Sequence, residues 1–242
     1  MSAGAAVIWH DVECGGYDAD LPLWEELAAE RGGPILELGC GTGRVALYLA
    51  RRGYEVIGLD RDQELLGKLV ERAGDLPVKT ICADVLDFEL DRQVPLVLAS
   101  MQFLHLMPSK EARLQCLRRI KDVLQPGGLL GATLLGSLPA APPDALPPLP
   151  DVREVDGWVY CSQPVAPMGW LGQELLLKRL RQTVSPDGTL SNEEHQTMLL
   201  FIGGPELEAE AAGIGFETVG RGLIPETEAH VGSVVVLLER PA

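Results

Sequence analysis

No apolar run in this 242-residue chain reaches the roughly 18–20 residues that a membrane-spanning helix needs. Its first residues, Met1-Ser2-Ala3-Gly4, lack the basic stretch followed by an apolar one that marks a secretory signal. The sequence alone therefore predicts a cytoplasmic protein with no membrane partner. Positive charge is scarce: 20 Lys and Arg stand against 35 Asp and Glu, a net charge of −15. A nucleic-acid backbone would be repelled unless a local basic tract compensated. Arg51-Arg52, Arg118-Arg119 and Lys178-Arg179 with Arg181 are scattered over different segments and form no such tract, which counts against nucleic acid as a partner. The five cysteines, Cys14, Cys40, Cys82, Cys116 and Cys161, are odd in number and have no C-x-x-C spacing. They read as reduced thiols, and no metal site is expected.

The most informative stretch that is present runs from Ile35 to Arg44, Ile-Leu-Glu-Leu-Gly-Cys-Gly-Thr-Gly-Arg. An apolar run of strand length meets three glycines on a period of two, and a helical pattern begins at Val45. Gly39, Gly41 and Gly43 allow a tight turn and let a ligand lie on the backbone without a Cβ in the way. The helix that follows offers it unpaired N–H groups. A dinucleotide fingerprint would carry its third glycine at the sixth position of the motif, where this chain has Arg44. Here the third glycine comes one residue early, and Glu37 sits two before the first. This E-x-G-x-G-x-G pattern resembles motif I of the class I S-adenosylmethionine-dependent methyltransferases.

The downstream order agrees with that resemblance from residue 34 to 135. A helix over Val45 to Arg52 leads to a second strand, Glu55 to Leu59, that ends in Asp60. An acid about twenty residues past the first glycine is placed to bind ribose hydroxyls. Asp62 is the better N-cap for the helix Gln63 to Ala73, which leaves Asp60 for that role. A third strand, Val78 to Ala83, ends in Asp84-Val85, where the family binds adenine. A fourth, Leu96 to Ser100, runs into Met101-Gln102-Phe103-Leu104-His105-Leu106. Ser109 then caps a helix to about Leu124, which Gln125-Pro126-Gly127-Gly128 stops before a fifth strand, Leu129 to Leu135. Helix, L-x-P-G-G and apolar strand in that order also resemble the family. The resemblance implies S-adenosyl-L-methionine as cofactor and S-adenosyl-L-homocysteine as product. The cofactor residues it implies are Tyr17, Glu37, Gly39, Cys40, Gly41, Gly43, Asp60, Arg61, Asp84, Val85 and Met101.

The remaining segments read as additions to that core. Residues 137–151 hold too many prolines for helix or central strand. Gly157 to Ser162, Glu174 to Val184 and about Glu193 to Ile202 have the pattern of three antiparallel strands, the last two joined at Ser185-Pro186-Asp187-Gly188. A helix from Gly204 to about Ala212 and a strand from Ser233 to Arg240 follow. The expected fold is α/β: a Rossmann-like sheet of seven mostly parallel strands with the last antiparallel, helices on both faces, and a small antiparallel β lid. It is read as one domain, with an N-terminal cap at 1–33, a cofactor core at 34–136, a connection and lid at 137–203 and a closing unit at 204–242. A monomer or homodimer is expected. The lid resembles that of small-molecule N- and O-methyltransferases, which implies a small-molecule methyl acceptor. Trp158, Tyr160, Met168 and Trp170 are candidates either for the acceptor pocket or for the lid's own core.

Methyl transfer from a sulfonium needs nucleophile and methyl held in line, with water excluded. An oxygen or ammonium nucleophile also needs its proton removed. His105, just past the fourth strand at the sheet edge where such folds bind ligands, is the first candidate base, with His195 and His230 behind it and His10 unplaced. Three alternatives share parts of this pattern. A nicotinamide-dependent oxidoreductase would need the glycine that is Arg44 here, and an aminopropyltransferase an acidic pair that Ser100 to Leu106 lacks. A non-catalytic cofactor-binding or scaffold protein would keep the same glycines.

Overall fold

The computed structural model describes residues 4–136, 149–165, 169–171, 173–227 and 230–242. Two N-terminal helices, α1 (Ala5–Cys14) and α2 (Leu21–Arg31), precede the alternating core: β1 (Ile35–Leu38), α3 (Arg44–Ala50), β2 (Val56–Asp60), α4 (Gln63–Ala73), β3 (Val78–Cys82) and β4 (Val94–Ala99). A 3-10 turn (Phe103–Leu106), α5 (Lys110–Val123) and β5 (Leu124–Leu135) complete it. The lid holds β6 (Asp151–Val155), β7 (Trp158–Pro164), β8 (Gly169–Leu171), β9 (Glu174–Val184) and β10 (Leu190–Leu200). α6 (Gly204–Ala212), β11 (Glu217–Ile224) and β12 (Ser233–Glu239) close the chain.

The main sheet has the order β11-β12-β5-β4-β1-β2-β3. β3, β2, β1, β4 and β5 are parallel, and β12 lies antiparallel between β5 and β11. Strands covered on both faces must be apolar throughout, and β1 and β4 are buried along their whole length. One core cluster packs α5 and α6 on one face, through Leu117, Ile120, Leu207 and Ala211. The other packs α2, α3 and α4, through Trp24, Leu27, Leu49 and Leu69. The strand order reverses direction between β1 and β4, so their carboxyl ends open a crevice there, the usual ligand site of open α/β sheets.

The helix expected at Leu21, the α4 bounds and the Asp62 cap all appear, with Asp62 accepting from the N–H groups of Glu64 and Leu65. Ser109 likewise accepts from Ala112 N at 3.2 Å to start α5. Two features differ. α1 was not expected, because its buried residues Trp9, Asp11 and Val12 mix a charge into the stripe and hide its apolar period. The lid has five strands instead of three. Of the two added strands, β8 pairs with β9, and β6 pairs with β7 through a two-residue turn at Asp156-Gly157, with φ of 52° and 78°. Asp-Gly is the standard residue pair for that geometry, so the signal was present next to the proline-rich run. Most of that run, and Met168, lie outside the described residues. No helix among the described residues is long and apolar enough to cross a membrane.

Candidate functional site

A cavity of about 720 Å³ lies over the carboxyl ends of β1, β2, β3 and β4, closed from above by α1 and β10. Its floor is the glycine turn. Gly39, Gly41 and Gly43 all have positive φ, at 64°, 52° and 93°. Each faces a side chain that leaves no room for a Cβ. One on Gly39 would lie 2.6 Å from the Phe103 ring, one on Gly41 would overlap the His10 imidazole, and one on Gly43 would overlap Leu69. Gly39 lines the cavity, whereas Gly41 and Gly43 sit beneath it and allow α1 and α4 to approach.

The acids divide by depth. Glu37 is buried at the foot of the cavity. Its Oε1 accepts from Ser100 Oγ at 3.4 Å, and its Oε2 has no partner within the protein. Burial pushes its carboxyl up to about 8, opposed by the nearby Arg44 charge and the Ala46 N–H. Asp60, half-buried at the tip of β2, ties the turn together: Oδ2 accepts from Gly41 N at 2.9 Å and Oδ1 from Asp62 N at 3.0 Å. Each oxygen keeps a lone pair for a further donor. Asp84 is exposed past β3, with Oδ1 taking Leu86 N at 2.8 Å. Cys40, Arg61, Val85 and Met101 also line the cavity. Met101 and Gln102 hold φ of 47° and 58°, a left-handed pair of non-glycine residues of the kind that clusters at ligand sites.

Arg44 was noted in the sequence only for the glycine it displaces, yet it lines the cavity. It donates to the Tyr17 carbonyl at 2.8 Å and to both oxygens of Asp20, which is fully buried and also takes the Trp24 indole N–H at 2.8 Å. Tyr17 itself stacks beside Arg44 and packs on Ile224 and Val235, outside the cavity lining. His10, Cys14 and Ser100 are further lining residues that carried no motif signal.

The histidines are not placed as the sequence suggested. His105 is buried and does not line the cavity. Its Nε2 accepts from Leu135 N at 2.9 Å and its Nδ1 meets the Leu200 carbonyl at 3.2 Å. Burial lowers its ring to about 4, so it is a neutral pin between β5 and β10. Both ring nitrogens are committed to backbone, outside the lining where the sequence placed a candidate base. His230 stacks on Tyr17 with centroids 4.8 Å apart. His10 and His195 do line the cavity, His10 against the glycine turn and His195 on the lid. Of the lid aromatics, Tyr160 meets Trp9 edge-on at 5.5 Å, and Trp158 is largely exposed.

Fold and floor together define a class of nucleotide-type cofactor binders, and comparison with known proteins specifies it. Residues 35–128 match the family model described as a methyltransferase domain. The chain is 25% identical to the CcbJ methyltransferase from Streptomyces caelestis, with a TM-score of 0.69 over 94% of this chain and 98% of that one. The amino pentose methyltransferase CalS10 from Micromonospora echinaspora, solved with S-adenosylmethionine bound, shares the fold at 16% identity and a TM-score of 0.70, covering 97% of this chain and 96% of that one. Among curated proteins, a carboxy-S-adenosyl-L-methionine synthase of Shewanella piezotolerans is 32% identical over 48% of this chain and 51% of its own length. A cypemycin N-terminal methyltransferase of Streptomyces is 32% identical over 40% of each chain. The chain spans about half the length, or less, of these curated relatives. In fold the chain is similar to S-adenosylmethionine-dependent methyltransferases along nearly its whole length, and its residues 35–128 match the methyltransferase domain family.

Proposed function

We propose that this protein transfers the methyl group of S-adenosylmethionine to nitrogen or oxygen of a small molecule. The observation that carries the reading is Glu37 Oε2, a buried carboxylate oxygen without a partner at the foot of the cavity. A buried polar atom in that state is costly until a donor reaches it, and the α-ammonium of the cofactor's amino-acid part is such a donor. Asp60 takes the ribose hydroxyls with its remaining lone pairs. Asp84 and the Val85 N–H take the adenine, Gly39 and Cys40 give the cofactor a flat backbone to lie on, and Arg61 covers the rim. Arg44, held by Asp20, and Met101 would line the methionine end of the cofactor.

When bound, the cofactor supplies a methyl group already activated by a cationic sulfur. The chain's part is to hold the acceptor in line with that methyl and keep water out, and orientation of this kind is worth several kcal/mol. α1 and β10 cover the cavity, and an amino pentose methyltransferase and a sugar N-methyltransferase among the solved structures share the fold over nearly the whole chain. The curated relatives' names include both a synthase and methyltransferases.

Calorimetric titration with S-adenosylhomocysteine tests the reading, with NADH as control ligand. The expected result is micromolar binding of the first and none of the second, with affinity falling about tenfold or more in Asp60→Ala, which removes charged hydrogen bonds to the ligand. Binding of NADH alone would replace the proposal with an oxidoreductase.

A further inference from the structure

The wall of the cavity on the β4 side of β1 differs in chemistry from the cofactor side. Met101, Phe103, Leu106, Met107 and Pro108 line it from the segment after β4, and His195, Gln196, Thr197 and Met198 from β10. Side chains alternate along a strand, and in β10 His195 and Thr197 are half-buried while Gln196 and Met198 are exposed. The two less exposed of these residues are a polar pair, with His195 Nε2 3.4 Å from Thr197 Oγ1. Neither segment contributes a carboxylate to the lining. The cavity's three acids, Glu37, Asp60 and Asp84, sit at the ends of β1, β2 and β3 or just past them.

We infer that His195, steadied by Thr197, is the general base of the reaction, and that the acceptor is an apolar ring bearing a hydroxyl, chemically a phenol. This rests on the methyl-transfer reading above. An ammonium acceptor in this wall would lack the paired carboxylate that a desolvated cation requires. Thioether sulfurs beside an aromatic ring and a proline make instead a surface that an aromatic ring fills.

In the tautomer that donates from Nε2 to Thr197 Oγ1, the His195 Nδ1 keeps its lone pair. A lone pair on the hydroxyl oxygen forms the bond to the methyl carbon. The carbon–sulfur bond breaks with its electron pair staying on sulfur, and the hydroxyl proton passes to Nδ1. The half-buried imidazolium then returns that proton to water. Burial and the Arg181 and Arg179 charges hold the ring below its ordinary value, against the pull of Glu13 and Glu193, so it enters neutral at neutral pH. The other histidine in the lining, His10, has Nδ1 on Thr42 Oγ1 at 3.2 Å and its Nε2 edge over Gly41. That position is on the cofactor side.

The test uses the full chain, wild type and the variants His195→Gln and Thr197→Val. Each is titrated with S-adenosylhomocysteine, and 4-nitrophenol is then titrated into that complex by calorimetry and absorbance, with benzylamine as the ammonium probe. All three proteins should bind S-adenosylhomocysteine alike, which also shows that the variants are folded. The wild-type complex should bind 4-nitrophenol with a shift of its absorbance toward the phenolate, and should bind benzylamine more weakly. His195→Gln should lose the shift and about tenfold in 4-nitrophenol affinity, a lost hydrogen bond's worth, with Thr197→Val intermediate. A shift that survives in His195→Gln, no 4-nitrophenol binding by the wild-type complex, or tighter binding of benzylamine would each overturn the inference while leaving the cofactor reading intact. No binding of S-adenosylhomocysteine by wild type would overturn both.

Discussion

The two walls of the cavity are held by different physics. At the strand ends, position comes from backbone: three glycines at positive φ, each under a side chain that excludes a Cβ, and Asp60 fixed by two backbone N–H groups. On the lid side, position comes from charged side chains. Glu13 of α1 takes Arg181 Nε at 2.7 Å and Nη2 at 2.9 Å, and Ser162 Oγ at 2.7 Å, while Arg179 spans Ser162 and Asp151. Asp11 adds Thr42, Arg72 and Arg153, so α1 bridges the glycine turn, α4 and the lid. Close packing does not yield by degrees, whereas partly exposed ion pairs exchange with water at modest cost. The strand-end wall rests on backbone and packing, and the lid wall on a few charged side chains.

The largest expected effect lies on the core side. Arg113 of α5 and Glu210 of α6 form a buried two-point pair, Nε–Oε2 at 2.8 Å and Nη2–Oε1 at 2.9 Å. Glu210→Ala leaves the guanidinium buried without its anion, and should cost about 3–5 kcal/mol in global stability, read by denaturant unfolding. A loss under about 1 kcal/mol would mean that the pair behaves as a surface one and that the contrast between the walls is overstated. Next in size is Glu13→Gln, which weakens charge-assisted hydrogen bonds by about 1.5–3 kcal/mol. Hydrogen exchange should show α1 and β6–β10 losing protection while β1, β4 and β5 keep theirs. Uniform loss across both sheets would make α1 part of the core's cooperative unit and abolish the distinction.

The same difference governs what the sequence reveals. The core was legible because local signals and tertiary structure coincide there: glycine period, strand-length apolar runs, Asp62 and Ser109 as caps, and Pro126-Gly127-Gly128 before the β5 run. The place of Asp60 in the cavity lining could be read from its distance past Gly39 for the same reason. α1 was not legible, since its purpose is to bury Asp11 and present His10 and Glu13, and those charges break the periodicity that marks a helix. β6 was missed although Asp156-Gly157 announced its hairpin. His105 shows the limit of position along the chain. Its place after β4 is the ligand edge of the sheet, but whether a ring there faces cavity or core depends on the left-handed turn at Met101 and Gln102, which no residue type in that stretch signals. Arg44 had the reverse history: it stood out as a missing glycine, and its partner Asp20, 24 residues earlier, became visible only in three dimensions.

The smallest effect separates the walls by proton counting. Glu37 carries its proton up to about 8 because burial outweighs the Arg44 charge, the Ala46 N–H and the Ser100 hydrogen bond. The folded value lies above the ordinary carboxylate value of 4.5. The stability this protonation contributes is therefore full below that ordinary value and is lost as pH rises toward 8. An ammonium arriving at Oε2 favours the carboxylate, so binding of S-adenosylhomocysteine near pH 7 should release close to one proton, measurable as a dependence of the binding enthalpy on the buffer's ionisation enthalpy. The ionised fraction rises about fivefold between pH 7 and pH 8, so affinity should rise by about the same factor, on the order of 1 kcal/mol. Glu37→Gln should bind more weakly, with neither proton release nor that slope. His195→Gln, on the opposite wall, should leave both unchanged. A slope that vanished in His195→Gln and survived in Glu37→Gln would move the cofactor's ammonium from the strand-end wall to the lid.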